Sequence, residues 1–370
     1  MSESTRTLHV EWVGGVALLT GGLLLACLLV EGIARVFFPE WGPRTAQLTN
    51  FWKFDEVYGW SHTPGIQGVF PMDGRDSKVS INARGFRGPE IPYERSPGRK
   101  RAVVLGDSFV WGFGVDYEDT FLAGLGRQFP NVDVIGLGVS GYSTDQELIL
   151  YRNEGRKYQA DLVIVVIAAN DLSGNTSIEE YLIYSKPAFV IGEGGLLPVN
   201  QPAMRTSLVK RLGVQLAWRS YVLTGLQRYL YERKVAETLA HQSSQTLGKK
   251  EDEGEIRSET ESRKFLKSAS WQITIRLLQQ FKEEVDREGS DLLVVFVEGV
   301  HPSRDVASYL RKFQIESVVM ENYIGQTDLS AHLSDGLHWS PNGHRVVAEV
   351  IGNWLVSSRL LTNEPFPPIP

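Results

Sequence analysis

From residue 102 onward the chain alternates two kinds of hydrophobic pattern. AVVLGD (102–107), VDVIGL (132–137) and DLVIVVIAAND (161–171) are near-continuous apolar runs that reach a Gly, Asp or Asn at or near their ends. Such runs suit strands buried on both faces. Between them, DTFLAGLGRQF (119–129) and TDQELILYRNEGRKY (144–158) read as helices, the first capped by Asp119 or Thr120. Strand, helix, strand, helix predicts an α/β domain with a parallel sheet covered on both faces. The rhythm resumes with a helix near 266–288, a strand at 291–298 and a last helix from about Pro341 to Leu360.

The segment in between, about 172–264, reads as an insertion. It contains a hairpin, AFVIGEGGLLPV (188–199), and an aromatic helix around Trp218–Tyr231. Its end, 241–264, is polar and poor in apolar residues, which predicts a flexible, solvated stretch. Ahead of the α/β pattern, residues 35–98 are rich in Pro, Gly and aromatics and predict a β-containing lead-in. Residues 361–370 form a Pro-rich tail, the α/β domain covers about 99–360, and no internal repeat is visible.

One apolar run has neither strand nor amphipathic character. VGGVALLTGGLLLACLLV spans 18 uncharged residues, Val13 to Val30, between Glu11 and Glu31. As a helix it reaches roughly 27 Å, close to the hydrocarbon thickness of a bilayer. We therefore expect a transmembrane anchor at 13–34 after a short tail at 1–12, touching membrane lipid. A cleaved signal peptide is a weaker reading, because Gly32-Ile33-Ala34 is a poor cleavage site. A lipoprotein signal at Cys27 is disfavoured by the apolar residues that follow it. Positive charges flank the span on both sides, so they do not set its orientation.

Composition narrows the partners. The 370-residue chain has a net charge of −6, which argues against nucleic acid. The single cysteine excludes an internal disulfide. No H-E-x-x-H or Cys/His cluster is present, so no metal or cofactor is expected.

Gly136, Gly138 and Gly141 in VIGLGVSGYS have the G-x-G-x-x-G spacing of a dinucleotide cradle. That reading needs an acidic residue at the end of the next strand, and the nearest candidate, Asp161, begins one. The strand ends suggest a different chemistry. The first is followed by Gly106-Asp107-Ser108, the second leads to Gly141, and the third ends in Asn170-Asp171. SDGLHWSPNGH, before the last helix, holds Asp335 and His338. In a parallel sheet such ends converge on one crevice. A serine, a backbone amide, an asparagine amide and an Asp-x-x-His are the parts of an acyl-transfer site.

These blocks resemble the SGNH or GDSL hydrolases: GDSF (106–109), the glycine in GVSGYS (138–143), ND (170–171) and DGLH (335–338), in that order over roughly 100–358. The resemblance implies a three-layer α/β/α sandwich, flavodoxin-like, with a mostly parallel sheet. It departs from the family where the usual G-x-N-D reads Ala168-Ala169-Asn170-Asp171. The segment INARGFRGPE (81–90) resembles one in membrane-anchored bacterial members with envelope-polysaccharide roles.

The roles this implies are a Ser108 nucleophile, a His338 base and an Asp335 that orients the imidazole. The oxyanion hole would be the Ser108 N–H, the Gly141 N–H and the Asn170 side chain, with Gly136 and Gly138 serving turn geometry. A serine at a helix cap or an asparagine in a turn are the plain alternatives. Asp107 and Asp171 are expected to brace loops, and His344 to sit on the first turn of the last helix. Trp111 and Trp339, beside nucleophile and base, either stack on a sugar or pack in the core. Arg84 and Arg87 are expected to form salt bridges within the lead-in rather than meet an anionic glycan.

The expectation is therefore a membrane-tethered serine esterase that hydrolyses or transfers O-acyl groups, O-acetyl first among them. Its partner would be an acylated glycan or related ester outside the cytoplasm, in the periplasm. The rivals are a non-catalytic polysaccharide assembly or binding protein on the same fold, and a lipase or thioesterase.

Overall fold

The apolar runs become one five-stranded sheet in the computed structural model, which describes residues 3–38, 51–72, 75–178, 184–226, 229, 267–325, 330–333 and 335–358. The stretch 241–264 and the tail 361–370 lie outside the described residues. Two units emerge, one joining 1–47 with 207–256, the other joining 48–206 with 257–370.

In the first unit, helix α1 runs from Glu3 to Phe37. The tail expected at 1–12 is thus helical from Glu3, since neither Gly nor Pro interrupts the chain before Gly14. Within α1, Gly15–Phe37 is long and apolar enough to cross a membrane, as a span or as a signal sequence.

The second unit begins with two antiparallel hairpins, β1 (Trp52–Asp55) with β2 (Gly59–His62), and β3 (Gln67–Met72) with β4 (Arg75–Ser80). Their aromatic residues Trp60 and Phe70 are buried in the same core as the central sheet. The sheet's first three strands are β5 (Lys100–Gly106), β6 (Val132–Gly138) and β7 (Leu162–Ile167). Between them come α2 (Ser108–Trp111), α3 (Phe121–Gln128) and α4 (Thr144–Asn153). After β7 comes α5 (Ala169–Gly174), then the hairpin β8 (Ala188–Gly192) and β9 (Gly195–Val199). Helix α6 (Leu208–Arg219) belongs to the first unit. The second unit closes with α7 (Ala269–Arg287), β10 (Asp291–Phe296), α8 (Ser303–Leu310), β11 (Glu316–Val319) and α9 (Pro341–Ser358). Sequence patterning did not single out α8 or β11; ESVV is only four residues long and opens on a charge.

Strand order is β11-β10-β7-β5-β6 and every pairing is parallel. Numbered by first use, this is 2-1-3-4-5, the flavodoxin-like order. The crossovers run in opposite directions on either side of β5. With right-handed connections, α3 therefore lies on one face and α4, α7 and α8 on the other. Helix α9 returns to pack on α3. The result is an α/β/α sandwich whose topological switch point lies between β5 and β7, where a crevice opens at the strand carboxyl ends.

Gly136 and Gly138 are strand residues, which corrects the turn role expected for them. A Cβ on Gly136 would meet Leu122 of α3 at 2.5 Å, and one on Gly138 would meet the backbone N of Trp111 at 2.4 Å. Both glycines let helices approach the sheet closely. Gly141 differs: its φ of +82° is the left-handed conformation that favours glycine in a turn.

Candidate active site

Ser108 follows β5 and opens α2. The cap of that helix is Asp107, whose Oδ1 accepts the Phe109 N–H at 3.0 Å. Capping is thus already provided by the aspartate, and the Ser108 hydroxyl is directed elsewhere. Ser108 Oγ lies 2.9 Å from His338 Nε2, and His338 Nδ1 lies 2.6 Å from Asp335 Oδ2. Asp335 Oδ1 accepts the N–H groups of Leu337 and His338 at 2.9 and 3.0 Å, which folds the D-x-x-H segment into a tight turn.

Burial works to raise the pKa of the Asp335 carboxyl. The hydrogen bond and charge of His338, with the two backbone N–H groups, outweigh it and hold the carboxyl below its ordinary range. Asp335 is therefore ionised at neutral pH and accepts Nδ1–H. That fixes the tautomer in which Nε2 is free to take the Ser108 proton.

Asn170 stands on the first turn of α5, at the end of β7. Its Nδ2 donates to the Tyr142 carbonyl at 3.3 Å, tying the ends of β6 and β7 together. Ala168, where the family usually has glycine, has φ −107° and ψ 171°, which any residue adopts. The departure from G-x-N-D therefore leaves the local backbone unstrained. Asp171 Oδ2 accepts the Ala168 N–H and its Oδ1 accepts the Thr144 hydroxyl, both at 2.8 Å. This carboxylate links the ends of β7 and α4 and so braces the loop.

One open alternative is decided and one expectation is corrected. Trp111 and Trp339 are each 1 % exposed, so neither offers a face to a sugar. Trp111 packs among Trp52, His62 and Phe70, while Trp339 Nε1 donates to Glu298 at 2.7 Å. Among the described residues Arg87 forms no salt bridge; it is buried and donates to the carbonyls of Lys78, Trp111, Gly112 and Val115, pinning the loop after α2. Arg84 does pair with Glu90 in the lead-in. His344, on the first turn of α9, is buried and its Nδ1 accepts the Phe121 N–H at 3.3 Å. Burial first, then the charges of Arg87 and His338, push its pKa down to about 3, so it stays neutral.

Glu298, just past β10, was missed from the sequence. Its Oε1 meets both Trp339 Nε1 and His332 Nε2 at 2.7 Å, so one buried carboxylate holds the loop that carries Asp335 and His338. A signal existed, because Glu298 also lies at a strand's carboxyl end.

Glu147 was missed as well. It is buried on α4, and neither carboxyl oxygen has a hydrogen-bond partner. Burial, and then the charges of Asp171, Asp107 and Asp145, raise its pKa well above the ordinary range and keep it neutral. A carboxyl raised in the fold stabilises below its unfolded pKa and loses that contribution as pH rises towards the folded value. Glu147→Met is accordingly expected to match wild-type stability at pH ~5 and exceed it at pH ~8 by about 1–3 kcal/mol. Thermal denaturation at both pH values checks this; a variant less stable at the higher pH would show that the acid is needed ionised.

A cavity of about 450 Å³ lined by Lys282, Asp291, Glu316 and Trp354 lies at the amino ends of β10 and β11, away from the crevice, and holds none of these residues.

The sequence profile of the GDSL-like lipase/acylhydrolase family matches residues 104–241, which include Ser108, Gly141 and Asn170. No match was found among curated proteins. Among solved structures, the chain is similar to a lipase/acylhydrolase from Enterococcus faecalis at 13 % identity and TM-score 0.38, covering 72 % of this chain and 100 % of that one. A member of the lipolytic protein G-D-S-L family from Veillonella parvula is similar at 11 % identity and TM-score 0.38, covering 70 % and 99 %. A two-domain esterase active on acetylated mannans is similar at 14 % identity and TM-score 0.37, covering 74 % of this chain and 52 % of that one. Residues 104–241 are thus similar to the GDSL-like lipase/acylhydrolase family, and they supply the end of β5 and all of β6 and β7 of the parallel sheet.

Proposed function

We propose that this domain is a serine esterase acting on O-acyl groups, O-acetyl first among them, of an extracytoplasmic polysaccharide, and that α1 tethers it to the membrane with the domain in the periplasm. The observation that carries the chemistry is the unbroken chain of contacts Ser108 Oγ, His338 Nε2, His338 Nδ1, Asp335 Oδ2. Ser108 Oγ attacks the ester carbonyl as His338 Nε2 takes its proton. The carbonyl oxygen, now an anion, accepts hydrogen bonds from the Ser108 N–H, the Gly141 N–H and the Asn170 amide. The tetrahedral adduct expels the alcohol, which receives the proton from His338, and leaves the acyl group on Ser108. Water, deprotonated by His338, attacks that acyl-enzyme, and as the acid leaves His338 returns the proton to Ser108 Oγ. A sugar hydroxyl in place of water would give transfer by the same steps.

The tether is supported by the length and composition of Gly15–Phe37. The glycan is supported by the resemblance of the 81–90 segment to one in membrane-anchored bacterial members. The test is hydrolysis by the full chain in detergent of acetyl, butyryl and octanoyl p-nitrophenyl esters, beside acetate release from an O-acetylated polysaccharide. The reading expects kcat/KM to fall with acyl length and the polysaccharide to release acetate. Preference for the octanoyl ester would favour a lipase. Turnover only with an added sugar acceptor would identify a transferase.

A further inference from the structure

Resting on the reading that α1 spans the membrane, we propose that α6 lies in the headgroup layer of an anionic bilayer, beside the point where α1 leaves it. Glu31 and Arg35 follow the uncharged run of α1. Glu31 accepts hydrogen bonds from Ser220 Oγ at 2.8 Å, the Tyr221 N–H at 2.9 Å and the Val222 N–H at 3.3 Å. Arg35 donates to the Arg219 carbonyl at 3.1 Å and lies over the Tyr221 ring at 4.9 Å. The carboxyl end of α6 is therefore held at the level where the span meets water. The helix is 12 residues long, so its amino end lies within about 18 Å of that level.

Its exposed face fits such a site. Leu208, Val209, Leu212 and Leu216 are 50–81 % exposed. At about 100° per residue they fall within an arc of about 100°, which Arg219 joins at the carboxyl end, with Lys210 and Arg211 on the remaining circumference. Helix α6 contains no acidic residue. An apolar stripe beside basic side chains is the pattern of a helix lying in a membrane interface, with leucines among the acyl chains and cations among anionic headgroups. A second copy of the chain would cover the leucines but leaves the one-sided charge unexplained.

The test uses the full chain with Cys27→Ser, labelled with an environment-sensitive fluorophore at one introduced cysteine. It is reconstituted in vesicles of phosphatidylcholine with phosphatidylglycerol. Labels go at Leu212→Cys, Leu216→Cys and Lys210→Cys on α6, and at Leu23→Cys on α1; retained ester hydrolysis reports folding. The labels at 212 and 216 are expected to be quenched by nitroxides near the lipid headgroups and to be about threefold less accessible to iodide than the label at 210. The label at 23 is expected to respond to nitroxides deep in the acyl chains. A deep label at 23 with 212 and 216 as open to iodide as 210 overturns the inference alone. Shielding of 212 and 216 from iodide without lipid quenching means a second copy covers the face, which also overturns it. An iodide-accessible label at 23 removes the tether and the inference together.

Discussion

Ser108→Ala is expected to lower ester turnover by ~10³-fold or more while leaving the fold intact. The fold should tolerate the change because Asp107, not Ser108, caps α2. Alanine is also the best helix former, and Ser108 is its first helical residue. What disappears is the oxygen 2.9 Å from His338 Nε2. Its backbone N–H stays in place, so binding and part of the oxyanion stabilisation survive and some residual rate over water remains. Kinetics on the acetyl ester beside thermal denaturation decide the matter. A loss in kcat at unchanged melting temperature assigns the nucleophile. Unchanged turnover would remove Ser108 from the mechanism, whatever its distances.

The second large effect is expected from Asp335→Asn, on the order of 10³–10⁴ in kcat with KM little changed. The amide is nearly isosteric, and its oxygen can still accept the Leu337 and His338 N–H groups that Oδ1 accepts now. Its NH₂ would then face His338 Nδ1, where the carboxylate stood at 2.6 Å. A donor there favours the tautomer with the proton on Nε2, which cannot accept the Ser108 proton. The pH dependence of stability carries the matching signature. Because the fold lowers the Asp335 pKa, its contribution is present above the ordinary carboxylate range and is lost as pH falls through the lowered value. The asparagine variant should therefore lose less stability than wild type on acidification. A loss of tenfold or less in kcat would mean that Asp335 does not set the imidazole tautomer.

The order of elements was legible in the sequence, because strand runs, helical spacing and caps are set by neighbours a few positions apart. The DGLH turn is of that local kind: Asp335 reaches the backbone and ring of a histidine three residues on. So is Gly141, whose positive φ is a property of its own turn. Three blocks at the ends of apolar runs and a fourth before the last helix pointed to one sheet edge and to acyl-transfer chemistry.

Other features depended on partners far away in the chain. Trp111 was ambiguous from sequence because sugar stacking and core packing use the same ring; Trp52, His62 and Phe70 of the lead-in decide it by burying that ring. Trp339 is decided likewise by Glu298, 41 positions earlier. Gly136 and Gly138 carry no local sign of the helices that press on them. Glu147 reads as an ordinary surface residue of an amphipathic helix until α4 is packed beside Asp107 and Asp171. The sequence by itself determined which residue types stand at each strand end, since hydrophobic periodicity and turn chemistry are local. Tertiary structure alone decided which of them meet, because Ser108 and His338 are 230 positions apart and come within 2.9 Å only when the sheet closes its order around the switch point.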